Sequence, residues 1–296
     1  MRSWKKCCFW MNMPWRRTTM EKELIETLES IKKNHYDFAD VNKAELADRC
    51  LMHIGDPDGT IRDGLVYGVL AHLLHDKYFN EAELTRYLEQ LISADFLSYD
   101  LENKQPNSVL RRSFSILQLV ILVYVHRRDG ILEKASIERV YHAFLAYFVQ
   151  ETILTGYDAQ VGWVHAIAHS ADLFAQLMQI SWFDENRLME MFSAIVDKFK
   201  QKNHFYTFDE DERMTIAIKN GIARQIMSRD FIESWLDRFL IADPPTEYLE
   251  RLYYQNNIKC FLRSLYFTFL EDANYHWITD RIREILIKNK TRKPQL

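Results

Sequence analysis

From Ala159 to Phe183 the chain carries a single Asp, Glu, Lys or Arg, and that residue is Asp172. No other feature constrains the fold as strongly. Read as a helix, the segment turns about 100° per residue. His165, His169 and Asp172 then fall within roughly 60° of one another, and Gln176 and Gln179 continue the stripe. Almost everything else on the helix is apolar, and a helix apolar nearly all round is buried between neighbours. A polar stripe on such a helix must be hydrogen-bonded, metal-bound or open to a groove.

The rest of the chain supplies the neighbours. Apolar residues recur at helical spacing over residues 20–34, 43–54, 60–75, 81–93, 108–126, 136–154, 185–200, 213–227, 230–242, 247–271 and 275–288. The 247–271 segment is expected to break near Asn256-Asn257. Asp184 stands where a helix N-cap belongs. Acidic Asp209-Glu210-Asp211-Glu212 opens another helix at the end its dipole favours. With only 8 Gly and 6 Pro, the chain lacks the punctuation of an all-β fold, and no strand hairpin stands out. The prediction is about a dozen helices joined by short turns. Sequential antiparallel pairs favour an all-α, α-solenoid-like stack of the HEAT or ARM kind over a closed bundle. No stretch has linker composition, so residues 20–289 read as one helical domain and 290–296 as a basic tail.

Charge and cysteine usage narrow the setting. A net charge of −4 over 296 residues argues against an overall nucleic-acid footprint. Cys7, Cys8, Cys50 and Cys260 form no CxxC pair and no zinc spacing, which suits a reducing, cytoplasmic protein. The longest apolar run, Ile116–Val125, is too short to span a bilayer and reads as a buried core helix. Residues 1–19 differ in composition from the rest of the chain, with several Arg and Lys, three Trp and no acid. They read as an upstream extension with Met20 as the natural first residue, or else as a basic-aromatic arm for anionic lipid.

The string Gly162-Trp163-x-His165-Ala166-x-Ala168-His169-x-Ala171-Asp172 resembles the hallmark of an uncharacterised bacterial family catalogued as domain of unknown function 2785. Three further segments are similar to that family's pattern: Gly55-Asp56-Pro57 with Arg62-Asp63, Arg112-Ser113-Phe114-Ser115, and Glu151 ahead of Gly156-Tyr157. Where the family carries Arg, this chain has Thr155, which removes one cation from the reach of Glu151. The resemblance implies a helical, HEAT-like fold and no particular activity.

These segments supply the candidate site residues: Arg62, Asp63, Arg112, Glu151, Trp163, His165, His169 and Asp172. Histidines at i and i+4 with Asp a turn later are a sound geometry for a divalent transition metal, although Ala166 stands where HExxH needs its glutamate. Against this, both histidines read first as satisfied core residues, with a polar binding groove next and a metal site last. Arg62 and Asp63 are expected to brace helices, by analogy with HEAT repeats. Arg111 and Arg112 in a first helical turn, and Glu151 near a helix C-terminus, all oppose the dipole and call for partners. Arg112 with Glu151 or Asp172 is the expected pair. No phosphate loop, nucleophile elbow or resident cofactor is indicated. The expectation is a protein-interaction or ligand-binding module, with another protein as the favoured partner, using a groove around the His165, His169 and Asp172 helix. The runner-up is a metal-dependent hydrolase with those three residues as ligands.

Overall fold

The computed structural model describes residues 22–102 and 107–291. The expectations for residues 1–19, for Cys7 and Cys8, and for most of the basic tail lie outside the described residues.

The first helices are α1 (Lys22–Lys33) and α2 (Lys43–Met52). Then α3 (Gly59–Ile61), a π-helical turn (Arg62–Val66) and α4 (Tyr67–His75) run on without a gap. The next are α5 (Glu81–Leu91), α6 (Ser108–Asp129) and α7 (Lys134–Gln150). Two short strands, β1 (Tyr157–Asp158) and β2 (Gly162–Trp163), precede α8 (Ala166–Leu177). The chain continues through α9 (Glu185–Phe199), α10 (Glu210–Ala223), α11 (Arg229–Asp237), α12 (Tyr248–Phe269) and α13 (His276–Thr291). The protein is therefore mostly helical, as its periodicity predicts.

The helices pack in two rows. In one, α4, α6, α8, α10 and α12 lie side by side in that order; in the other, α5, α7, α9, α11 and α13 do the same. Apolar side chains from Leu24 to Ile285 form one contiguous buried cluster between and within the rows. Helix α6 touches α4, α5, α7 and α8. By length and hydropathy it could cross a membrane, yet 78% of its most apolar window is buried inside the fold. It is a core helix, as the flanking arginines suggest.

Local signals explain most element ends. Asp184 accepts from the Arg187 amide and caps α9, and Asn80 with Glu83 forms a reciprocal capping box on α5. Close approach fixes one glycine. A Cβ on Gly55 would lie 2.7 Å from the Cα of Arg111, on the backbone of α6. Gly55→Ala is expected to push the α2–α3 turn off α6 and to cost about 1–3 kcal/mol. Unchanged urea denaturation of that variant would contradict the contact.

Two expectations need correction. The helix predicted from residue 159 or 162 begins only at Ala166. Ahead of it lies an antiparallel ribbon pairing Tyr157 with Trp163 and Asp158 with Gly162. Gly162 takes φ +76°, which a helix cannot accommodate. Asp158 Oδ1 accepts from the amides of Gln160 and Val161 and closes the turn. The break expected at Asn256-Asn257 does not occur, and α12 runs through it. Asn257 is buried with its amide turned outward from the helix backbone. It donates to the carbonyls of Gln201 and His204 and accepts from the Tyr206 amide, pinning the segment between α9 and α10 onto α12.

Candidate functional site

The segments singled out in the sequence converge where the ribbon meets the N-terminal ends of α6 and α8. Arg62 lies in the π-helical turn with its side chain fully buried. Its Nη1 donates to the Asp56 carbonyl at 2.7 Å. Nη2 donates to the carbonyls of Val161 at 2.8 Å and Trp163 at 3.0 Å and to Asp63 Oδ2 at 2.7 Å. The guanidinium also lies 4.7 Å from the centre of the Phe114 ring. Burial pulls the Arg62 pKa down and Asp63 pulls it back. The expected brace between helices is thus a brace from the π-helical turn to the β-ribbon.

Arg112 and Glu151 form a buried bidentate pair. Nε meets Oε2 at 2.7 Å and Nη2 meets Oε1 at 3.1 Å. Nη1 of Arg112 is taken by the Tyr99 carbonyl and Ser108 Oγ. Glu151 also accepts from the amides of Thr152 and Ile153, and its own carbonyl accepts from Lys198 Nζ at 2.8 Å. Burial lowers the Lys198 pKa to about 8, with Glu151 opposing the shift. The cluster satisfies the misplaced charges that the helix dipoles predict. Of the two partners expected for Arg112, the structure selects Glu151. Its neighbour Arg111 donates to the carbonyls of Asp95 and Met52 and packs over Phe96 and Tyr99.

The histidines divide. His169 is buried on α8, and its Nδ1 lies 2.8 Å from Ser113 Oγ. Ser113 donates its hydroxyl proton to the Val164 carbonyl, so its oxygen accepts and His169 carries its proton on Nδ1. Phe114 packs edge-on against the same ring. His165 precedes α8 with a left-handed backbone, φ 48° and ψ 32°. Its ring stacks on Trp163 at 4.4 Å with 7° between the planes, and lies 5.5 Å from His169. Trp163, expected on a helix from the sequence, sits instead on β2. It is 43% exposed, and its cross-strand partner Tyr157 is 44% exposed.

Asp172 is paired with α10 and not with the histidines. Both of its carboxylate oxygens are taken by Arg213 of α10, Nε at 3.1 Å to Oδ1 and Nη2 to Oδ2. Desolvation raises the Asp172 pKa against the pull of Arg213. The charge of Asp172 in turn helps raise the Tyr67 hydroxyl, whose main shift comes from burial. Among the described residues no three His, Cys, Asp or Glu side chains are grouped to hold a metal ion. The structure does not bring the three together as a ligand set, because both oxygens of the Asp172 carboxylate are taken by Arg213.

Sequence reasoning missed Arg213, Ser113 in its role at His169, Lys198 and Glu210. Glu210 opens α10 buried, with Oε2 accepting from the Phe208 amide and the carboxyl pushed up by desolvation. Its burial has no local signature, since it sits in a run of four acids of which it alone turns inward.

Protonation of the histidines should be visible in stability. Burial, then Arg213, holds His165 down at about 4. Burial, then Arg213 and His165, holds His169 well below the ordinary value. Both rings therefore bind protons more readily in the unfolded chain, whose histidines titrate near 6.5. Their contribution is complete above about pH 6.5 and is lost as pH falls from there toward about 4, at up to about 1.4 kcal/mol per pH unit for each fully buried ring. His165 contributes less because it is partly exposed. Raised Asp172 and Glu210 work in the opposite sense at lower pH, since their protonation favours the fold. Urea midpoints between pH 7 and 5 should fall in the wild type and fall less steeply in His169→Gln. Parallel profiles would remove His169 from this role.

The row that contains α8 also carries an opening. A cavity of about 800 Å³ lies between α10 and α12, with Thr215, Thr268, Ser264 and Cys260 in its lining and Arg213 and Arg263 beside them. Ile216 and Phe267, 55% and 68% exposed, also line it. Arg213 thus belongs both to this cavity and to the pair that holds Asp172.

The converging segments from α6 to α8 lie within a stretch that matches a known family. Residues 97–267, more than half of the chain, match the family described as "Protein of unknown function (DUF2785)". The chain is a member of that family. No curated protein and no solved structure matches it.

Proposed function

We propose that this chain is a binding protein built as a HEAT-like stack of helix pairs, and that it holds another protein along the face made by α8, α10 and α12. The observation that carries this reading is the open cavity between α10 and α12, with Ile216 and Phe267 exposed at it. Large apolar side chains exposed beside charged ones mark a recognition surface more often than a substrate pocket. Arg213 joins the cavity to Asp172, so the face continues into the polar stripe on α8. The side-by-side order of alternate helices supports the stacked arrangement. The buried part of the site serves to hold this face in shape. Both Nη atoms of Arg62, the Arg112–Glu151 pair and Nδ1 of His169 are bonded to neighbouring backbone and side chains, while Trp163 and Tyr157 are exposed beside them.

The binding reading is preferred to the hydrolase reading because the carboxylate that would serve as the third metal ligand, Asp172, is held on both oxygens by Arg213. A photo-crosslinking side chain introduced at position 216 in the native host should yield one discrete adduct. The same group at exposed position 142, on α7 in the other row, should not. Identical adduct patterns at both positions would contradict the proposal. So would stoichiometric zinc, iron or manganese in untagged protein that disappears in His165→Ala.

A further inference from the structure

The terminal helix pair carries a second opening of different character. A groove of about 490 Å³ runs between α12 and α13, with Arg263, Arg283 and Lys290 and the apolar Tyr266, Phe267 and Ile287 among its lining residues. No carboxylate lines it. Phe267 and Ile287 are 68% and 55% exposed. Each lies one helical turn after an arginine, Arg263 before Phe267 and Arg283 before Ile287, so both helices present the same cation-then-apolar pair to the groove. Among the described residues no helix covers this side of α12 and α13.

We infer that this groove binds an acidic amphipathic helix of the partner protein, its apolar stripe laid between Phe267 and Ile287 and its carboxylates against Arg263, Arg283 and Lys290. This rests on the protein-binding reading above and names the chemistry of the partner. Phe267 and Arg263 line both openings, so the groove extends the α10–α12 face rather than forming a separate site. A furrow between two packed helices accepts the ridge of a third, which anchors through positions i, i+3, i+4 and i+7. The charges select which helix. Arg283 is paired with Asp280 at 3.1 Å, but both side chains are largely exposed, and such a pair exchanges readily for a partner's carboxylate. An anionic bilayer fits less well, because Asp280 and Glu284 on the same helix are also exposed and would meet its surface. A second copy of this chain would set like charges against each other.

The test uses the full chain and two synthetic helical peptides of about 18 residues, five turns. Both carry leucine at i, i+3, i+4 and i+7. One has glutamate and the other lysine on the remaining face. The glutamate peptide should bind saturably by fluorescence anisotropy, and more weakly as salt is raised. Arg283→Glu and Ile287→Asp should each weaken it about tenfold, which is about 1.4 kcal/mol. Both residues are exposed, and melting curves of the variants should match the wild type. Val149→Asp, exposed on α7 in the other row, should leave peptide affinity unchanged. Equal binding of the lysine peptide would overturn the inference, as would affinity indifferent to Arg283 and Ile287. So would preferential co-sedimentation with phosphatidylcholine vesicles containing about one-third phosphatidylserine, or a dimer that the same two substitutions dissolve. If crosslinking at position 216 persists in any of these cases, the partner's chemistry is wrong and the protein-binding reading stands.

Discussion

Arg112→Ala should lower the stability of the fold by about 3–5 kcal/mol, because it strands the buried Glu151 carboxylate. The side chains are 0% and 1% exposed, so water cannot take the place of the guanidinium. The Tyr99 carbonyl and Ser108 hydroxyl lose a donor in the same change. For a chain of this size each kcal/mol corresponds to roughly 2–4 °C in Tm, so the thermal midpoint should fall by about 10 °C. Arg112→Lys should recover only part of the loss, since an ammonium cannot reproduce the two-point contact. The double variant Arg112→Met with Glu151→Leu should lie closer to wild type than Arg112→Ala, because it removes both charges together. Near-wild-type melting of Arg112→Ala would show that the pair does not carry the stability assigned to it.

Arg62→Ala should be comparably damaging, at about 3–5 kcal/mol, and its damage should be localised. The carbonyls of Asp56, Val161 and Trp163 would each lose a charged donor, and unpaired buried carbonyls cost about 1–3 kcal/mol apiece before relaxation. Phe114 would lose its cation. Arg62 holds the ribbon at two carbonyls, so amide exchange at residues 157–163 should accelerate more than exchange in α8 itself. Trp163 fluorescence should become easier to quench. Uniform acceleration across the protein would mean that Arg62 supports global stability and does not specifically anchor the ribbon.

How much of this is legible in the sequence depends on the range of the interaction. Helices and their caps arise from patterns within a few residues, and most of them are readable. Asp184 as a cap and the acidic start of α10 are of this kind. The need for partners at Arg112 and Glu151 is also readable, since both charges oppose their helix dipoles and one satisfies the other. The features that the sequence hides have a tertiary cause. Asn256-Asn257 looks like a break in α12, but Asn257 is held by three bonds to a segment some fifty residues earlier. The 159–165 stretch lacks charge and so resembles the helix after it, yet Arg62 draws its carbonyls into a turn from about a hundred residues away. Asp172 offers itself as a ligand because nothing near it in sequence can pair with it; its partner Arg213 lies on the next helix of the same row.

The separations of these bonds have a consequence for how the chain unfolds. Most bridges between elements are short in sequence and link a helix to its next neighbour in the same row. Asp172 to Arg213 spans 41 residues, Trp235 to Phe192 spans 43, and Tyr141 to Glu190 spans 49. A structure held only in this way would open piecemeal from its ends, with no single transition. Arg62 breaks the pattern, with bonds across 99 and 101 residues. It closes a loop that takes in α4 to α7, and the chain entropy of closing so long a loop is met once, by a single side chain. The segments inside that loop cannot loosen far without releasing it. One arginine thus ties the π-helical turn to the ribbon across all the helices between them, so the ribbon is the part of the middle that first registers its loss.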